Sequence, residues 1–483
     1  MSGAVSYKIA TEIPASYMEK LLDFIYKQYL LPQKQRFTNF YRETTDDVTF
    51  LSYVVLDAQG KQLLKAEVKG TTPIEVKLTP IAESVSATAM EEAKQDVVIA
   101  VQIFEENARK ATLYFAWREG ENIVPETLKK QEKSFNRLFL ETQILFFAVF
   151  IAFGMLIFIV LASLYPDAFW IAPLVLISVQ IVFVFYSSSF IARTADWHIT
   201  EANPTIHLLK YHLPIREHDE FKQTLTRDQL LAIKKEIYDE ILAKRGEIDC
   251  EAAQKVFAKH DIACQPENLA AKKVNVYELV KKIADKFGFP MPKIVVSNTM
   301  VPNAATAGPS PSRGVVLITT GLLVQLEEDE VLSVLGHEFG HLKGRDPLLL
   351  YGLTSAEFLF RFYVLFPLFP LIFSSFLFFF YFWAVMVVIF FIAKFFEARA
   401  DLVSAIKMGK PEVLAGALEK IGFQRLLYER TPSFRVQEWL GLDPHPPIYF
   451  RVDRLKKLKA PEKIKHPLIQ SIKDVLSGFR DSL

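Results

Sequence analysis

The sequence carries almost no net charge, very little cysteine and no leader-like segment. Each shortage closes off a class of function. Its 56 Lys and Arg offset 55 Asp and Glu, for a formal net charge of +1, so no global basic field argues for nucleic acid as a partner. Cysteine occurs only as Cys250 and Cys264. Both lie in a polar stretch and read as reduced thiols in a reducing compartment, with no disulfide framework expected. The stretch from Met1 to Glu19 is mixed and polar with no apolar core, so no cleavable signal peptide is visible and the N-terminal part is expected to stay in the cytoplasm. Repeats and low-complexity tracts are missing too, apart from Phe-rich runs.

What is abundant is apolar. There are 41 Phe, 51% of residues are hydrophobic and the mean hydropathy is +0.19, a balance that fits a membrane protein with sizeable soluble parts. A chain of 483 residues has room for several domains.

Residues 1–136 have a soluble composition. The pattern predicts a helix from Pro14 to Leu31, then a hairpin of Val48–Leu56 and Gln62–Val68 turning through Asp57-Ala58-Gln59-Gly60. Ile74–Leu78, Val97–Phe104 and Thr112–Trp117 read as further strands. The expected fold is an α+β domain without a catalytic constellation, suited to regulation or docking.

Residues 137–194 form a first transmembrane hairpin, with uncharged spans at 142–166 and 168–192. Each is long enough to cross about 30 Å of hydrocarbon as a helix. Lys129, Lys130, Lys133 and Arg137 precede the first span and Arg193 follows the second, while the short connection has neither Lys nor Arg. Both outer flanks are therefore expected on the cytoplasmic side.

Residues 195–347 return to soluble character. Helices are predicted at Arg227–Arg245, Val276–Phe287 and Glu328–Lys343, and strands at Lys293–Ser297 and Gly314–Thr319, with Asp346-Pro347 as a helix stop. Residues 348–394 are again apolar, and 395–483 are soluble, with helices near Pro411–Ile421 and Ile448–Leu458.

The chemistry lies on either side of that second apolar segment. His337-Glu338-Phe339-Gly340-His341 is an HExxH motif on a predicted helix, and positions i and i+4 share a helix face. Two imidazoles can therefore hold one divalent metal with Glu338 beside the open position, the arrangement in which metal and carboxylate activate a water. Glu397 follows on a later helix as a third ligand, and Asp401, one turn on, as the carboxylate that orients a ligating imidazole. Taken alone, an ExxxD pair is usually a solvated helix face. If all three ligands share one zinc ion, the intervening segment must cross the membrane an even number of times. A hairpin bent near Phe366-Pro367-Leu368-Phe369-Pro370 satisfies this and places Glu357 and Arg361 at membrane depth, spaced to pair within one helix or to face a polar cavity.

From about Tyr277 to Leu455 the chain resembles the membrane-embedded zinc metallopeptidases of the HtpX type, relatives of the CAAX prenyl proteases. The matching pieces are Asn303 to Gly308, Thr319 to Leu323, Asp329 to His341, Lys343 to Asp346, Glu397 to Asp401, and His445-Pro446-Pro447 with Arg451. The resemblance implies a multi-pass α-helical membrane protein with four spans in two hairpins, and a mainly helical zincin-type catalytic domain with a small β-sheet. The N-terminal α+β domain lies outside the match. It implies one zinc per chain on His337, His341 and Glu397, with Glu338 as general base. The substrates it implies are proteins or peptides at the lipid bilayer of the cell (plasma or inner) membrane, cleaved at its cytoplasmic face in protein quality control. His445, with Arg451 assisting, is the expected oxyanion donor, and Asn303 and Ala304 are expected to meet the substrate backbone. Two rivals are a membrane protein that binds metal without hydrolysis and a CAAX-type prenyl-protein protease. The presence of Glu338 speaks against the first. A transporter using Glu357 and Arg361 has little support in four spans without a repeat.

Overall fold

The protein is seen here as a computed structural model. It describes residues 4–120 with breaks at 46–47, 58, 83–84 and 111, a few residues between 154 and 164, and residues 170–483 with breaks at 214–226, 245, 261, 374–375 and 430–431. The first expected span, 142–166, lies mostly outside the described residues. The chain divides into two compact units, residues 1–123 with 207–273, and residues 124–206 with 274–483.

The first unit holds a five-stranded antiparallel sheet in which Val48–Leu56 and Gln62–Lys69 pair as the predicted hairpin. Asp57 accepts from the backbone of Gln59 and Lys61 in its turn. The predicted N-terminal helix is present as consecutive helical turns from Ala15 to Gln33. Val97–Phe104 is not a strand. It is the middle of a helix, Ala87–Lys110, in which Val97, Ile99, Ala100 and Val101 are all buried. A short apolar run buried all round has no period that separates strand from helix, and here the helix-forming flanks decide.

The sequence division placed all of 195–347 with the catalytic part, yet His207–Lys273 belongs with the N-terminal residues. The reason is a three-stranded sheet of Thr112–Arg118, Thr205–His212 and Leu269–Asn275. Phe115, Trp117, Leu209 and Tyr211 from that sheet close a core with Ile233, Ile237, Val256 and Phe257 from two helices. Cys250 and Cys264 are joined in a disulfide, their Cα atoms 5.9 Å apart, which corrects the expectation of free thiols. The helix that Cys250 opens is followed by a loop that folds back. There Gln254 on the helix accepts from the Cys264 backbone at 2.8 Å, bringing the two sulfurs together.

The second unit begins, among its helices described end to end, with α1 (Ala172–Thr194), followed by strand β1 (Trp197–Ile199). Helix α2 (Val276–Phe287) is capped by Asn275, whose side chain accepts from the Glu278 backbone, and it stops at Gly288 in a left-handed conformation. Strands β2 (Lys293–Ser297), β3 (Ala304–Ala307) and β4 (Val315–Thr319) complete a sheet in the order β3-β4-β2-β1. Of these, β2 and β4 are parallel, β3 is antiparallel to β4, and β3 stands at the edge.

Helix α3 (Glu328–Gly344) carries the HExxH and opens with a capping box between Glu327 and Glu330. It ends at Arg345, which takes φ 55° so that α4 (Asp346–Phe360) can start at once in a new direction. A π-turn and a break at Phe369 follow, then α5 (Leu377–Met408), α6 (Pro411–Ile421), α7 (Phe423–Glu429), α8 (Ile448–Lys457) and α9 (Pro467–Arg480). Among the described residues, three helical segments are long and apolar enough to cross a membrane: Ala172–Arg193, Asp346–Leu368 and Leu377–Met408. Tyr351 of α4 donates to the Ile177 carbonyl of α1, tying two of them together.

Candidate metal centre

Close approach of α3 to α5 creates the site, and two glycines permit it. A Cβ on Gly336 would lie 2.8 Å from Ser404 Oγ, and one on Gly340 would lie 3.0 Å from Ala400 Cα. Ser404 Oγ also donates to the Ser333 carbonyl at 2.7 Å. With small residues on both faces, the His337–His341 side of α3 meets the Glu397–Asp401 side of α5 nearly backbone to backbone.

Three ligand-type side chains converge there. His337 Nε2 and His341 Nε2 are 3.1 Å apart. Glu397 Oε2 is 3.4 Å from the first and Oε1 is 3.4 Å from the second. Zinc bonds of about 2.0–2.2 Å in a tetrahedron separate ligand atoms by roughly 3.3–3.5 Å, so the spacing suits such an ion. Glu397 Oε2 is buried and has no hydrogen-bond partner, a costly state for a carboxylate unless a cation completes it. The donor set of two imidazoles and one carboxylate is of catalytic zinc type.

Each imidazole is backed by a carboxylate, and each carboxylate by an arginine. His337 Nδ1 lies 2.8 Å from Asp401 Oδ1. Asp401 in turn accepts from Arg451 Nε at 2.9 Å and Nη2 at 2.7 Å, both residues being buried. Arg451, expected beside the oxyanion, thus spends its fork on Asp401. His341 Nδ1 lies 2.7 Å from Asp346 Oδ2, and Arg399 donates to Asp346 Oδ1. In sequence Asp346 belongs to the matching Lys343–Asp346 piece and stands as a helix stop, with no role at the site assigned to it. Burial alone would push the His337 imidazole down, but Asp401 and Glu397 outweigh it and hold it up at about 10 in the metal-free protein.

The remaining expected residues surround this cluster unequally. Glu338 accepts from Thr306 Oγ1 of β3 at 3.2 Å, and the same hydroxyl reaches the Glu338 carbonyl at 3.0 Å. The edge strand therefore runs directly beside the HExxH. Asn303 turns its backbone inward, its N–H to Thr319 Oγ1 at 2.9 Å and its carbonyl to the Thr319 N–H at 3.0 Å. By antiparallel alternation, Ala304 and Thr306 present their N–H and C=O groups to the open edge. His445 Nε2 stands 3.6 Å from Glu397 Oε2, and its Nδ1 is 2.8 Å from Asp443 Oδ1.

A helix-borne His pair, a glutamate on a second helix, a further glutamate beside the first histidine and an adjacent edge strand define the metallopeptidase class. The model of peptidase family M48 matches residues 270–459. The chain is 31% identical over 210 residues to a protease HtpX homolog of Pyrococcus abyssi, covering 38% of this chain and 73% of the relative. It is also 31% identical over 214 residues to that of Gemmatimonas aurantiaca, covering 38% and 76%. The crystal structure of S. mikatae Ste24p aligns over 76% of this chain and 86% of its own, at 14% identity and a TM-score of 0.30. The chain belongs to peptidase family M48, and it is an HtpX-like membrane metallopeptidase.

Proposed function

We propose that the protein is a zinc endopeptidase cleaving membrane or membrane-associated proteins, with His337, His341 and Glu397 holding one zinc ion. The observation that carries this reading is the convergence of those three side chains beside Glu338 and a free strand edge. A zinc ion bound there would supply the Lewis acidity that polarises a scissile carbonyl and makes a water acidic.

The chain's own residues do the rest. Glu338 takes the water's proton and delivers it to the leaving amine. Asp401 and Asp346 fix the imidazole orientations, with Arg451 and Arg399 holding those carboxylates in turn. His445, whose Nε2 stands 3.6 Å from Glu397 Oε2, is the donor to the developing oxyanion in this reading. An extended substrate adds as a strand to β3, pairing with the outward groups of Ala304 and Thr306.

The topology we propose has four spans in two hairpins, with the catalytic part and the residues before the first span in the cytoplasm. It is supported by the Lys and Arg flanks, and by a geometric fact. His341 and Glu397 are 3.4 Å apart, so the chain between them leaves and returns to the same place. Protein quality control is the role that fits a protease at this location.

The test is casein cleavage and self-cleavage by purified protein, comparing wild type, Glu338→Gln and a chelated sample, with zinc counted by elemental analysis. Glu338→Gln should retain zinc and lose roughly 100- to 10,000-fold in kcat. Cleavage surviving both substitution and chelation would overturn the reading.

A further inference from the structure

His445 sits on the connection between Leu440 and Ile448, which contains no helix or strand. Such a segment supplies no rigidity of its own, yet an oxyanion donor must be held within a fraction of an ångström. Asp443 of the same connection holds this one, and groups from two helices, α5 and α7, hold that connection in turn. Asp443 accepts at 2.8 Å both from the backbone N–H of His445 and at its Nδ1, so only Nε2 is left to face Glu397. Arg425 of α7 lies 3.1 Å from the other oxygen of Asp443 and also bonds Glu438. Lys394 of α5, completely buried, donates Nζ to the carbonyls of Gly441 and Asp443. Downstream, buried Glu429 accepts from the backbone of Ile448 and Tyr449 at 2.8 and 2.7 Å, closing the first turn of α8.

Lys394 reads from sequence as a flanking charge that ends a membrane span. A flanking lysine would keep its ammonium in the headgroup region. This one instead spends it on two loop carbonyls. Lys394 precedes Glu397 by three residues, so both lie on one face of α5. The same turn of helix thus sets the third ligand and grips the loop that carries His445.

We propose that Lys394 and the Asp443–Arg425 pair are positioning residues for the hydrolytic step, acting through His445. This rests on the reading of His445 as the oxyanion donor, and the test separates the two. Purified full-length protein is assayed on casein or a fluorogenic peptide as wild type, Lys394→Met, Asp443→Asn and His445→Ala. Each of the first two is also combined with His445→Ala. Zinc content and apparent melting temperature are recorded for all.

Lys394→Met and Asp443→Asn should each lower kcat by about 10- to 100-fold, with KM within about twofold and one zinc retained. On the His445→Ala background both should be nearly silent, because the residue through which they act is gone. Equal losses with and without His445 would overturn the positioning role, as would loss of zinc in proportion to activity. A His445→Ala protein with wild-type kcat would remove the donor reading itself, and this proposal with it. Should Lys394→Met fail to accumulate folded, Arg425→Met carries the same comparison at a partly exposed site, with Arg425→Lys expected to recover part of the loss.

Discussion

Asp346 Oδ2 lies 2.7 Å from Nδ1 of His341, so the first residue of α4 orients a ligand on the helix before it. The left-handed conformation of Arg345 joins the two helices within one residue and brings this contact about. Asp346→Asn should keep the fold and weaken zinc binding by about 10- to 100-fold, measured by competition with a metal chelator. Unchanged affinity would show that the carboxylate serves only its pairing with Arg399.

The edge of β3 gives a test confined to substrate. Ala304 points its N–H outward, so Ala304→Pro removes one donor without touching the pairing to β4. KM for an extended peptide should rise about tenfold, a loss on the order of one hydrogen bond, with zinc content unaltered. Ala305→Pro, which removes an inward N–H, should instead disrupt the sheet. Equal KM values for Ala304→Pro and wild type would mean that the substrate does not pair with this edge.

Within the apolar segment, Glu357 accepts from Arg361 Nη2 at 3.0 Å and from Tyr381 at 2.8 Å, linking α4 to α5. The sequence could say only that the two charges were spaced to pair. Glu357→Leu leaves Arg361 without its carboxylate and should cost about 3 kcal/mol, read as a lower melting temperature in detergent. Adding Arg361→Met should restore most of that loss. A double variant as unstable as the single would mean that the pair contributes through packing and not through charge.

Glu429 provides a pH signature away from the metal. Burial pushes its carboxyl up to about 7, although the N–H groups of Tyr449 and Ile448 and the charge of Arg425 pull it down. A folded pKa above the unfolded value of 4.5 means that the native state holds the proton more tightly. Its contribution is complete below pH 4.5 and is lost as pH rises through about 7. Melting temperature measured across that window should fall with rising pH in the wild type. In Glu429→Gln the slope should flatten, and an unchanged slope would assign the effect to other groups.

Spacing made part of this site legible. His337 and His341 follow from i and i+4, and Glu397 from an acidic cluster on a later helix that supplies a third ligand, which in turn requires the apolar insert to return to its starting side. The supporting residues were hidden because their local sequence suggests another use. Asp346 precedes a proline and looks like a helix stop, and Lys394 follows an apolar run and looks like a span boundary. Arg451 resembled a catalytic residue because it lies close to the HPP piece in sequence. Only the packing of α8 against α5 turns it toward Asp401. The helix mistaken for a strand, Val97–Phe104, failed for a related reason, since total burial erases the period that sequence reading depends on.

The unbroken course of α5 has a mechanical consequence. At 1.5 Å per residue its 32 residues extend about 48 Å, well beyond the roughly 30 Å of a hydrocarbon core. No hinge separates the apolar half, with Phe379, Phe380 and Trp383 exposed, from the half that bears Glu397 and Asp401. A tilt or a sliding of that shaft reaches the ligand set as a rigid displacement.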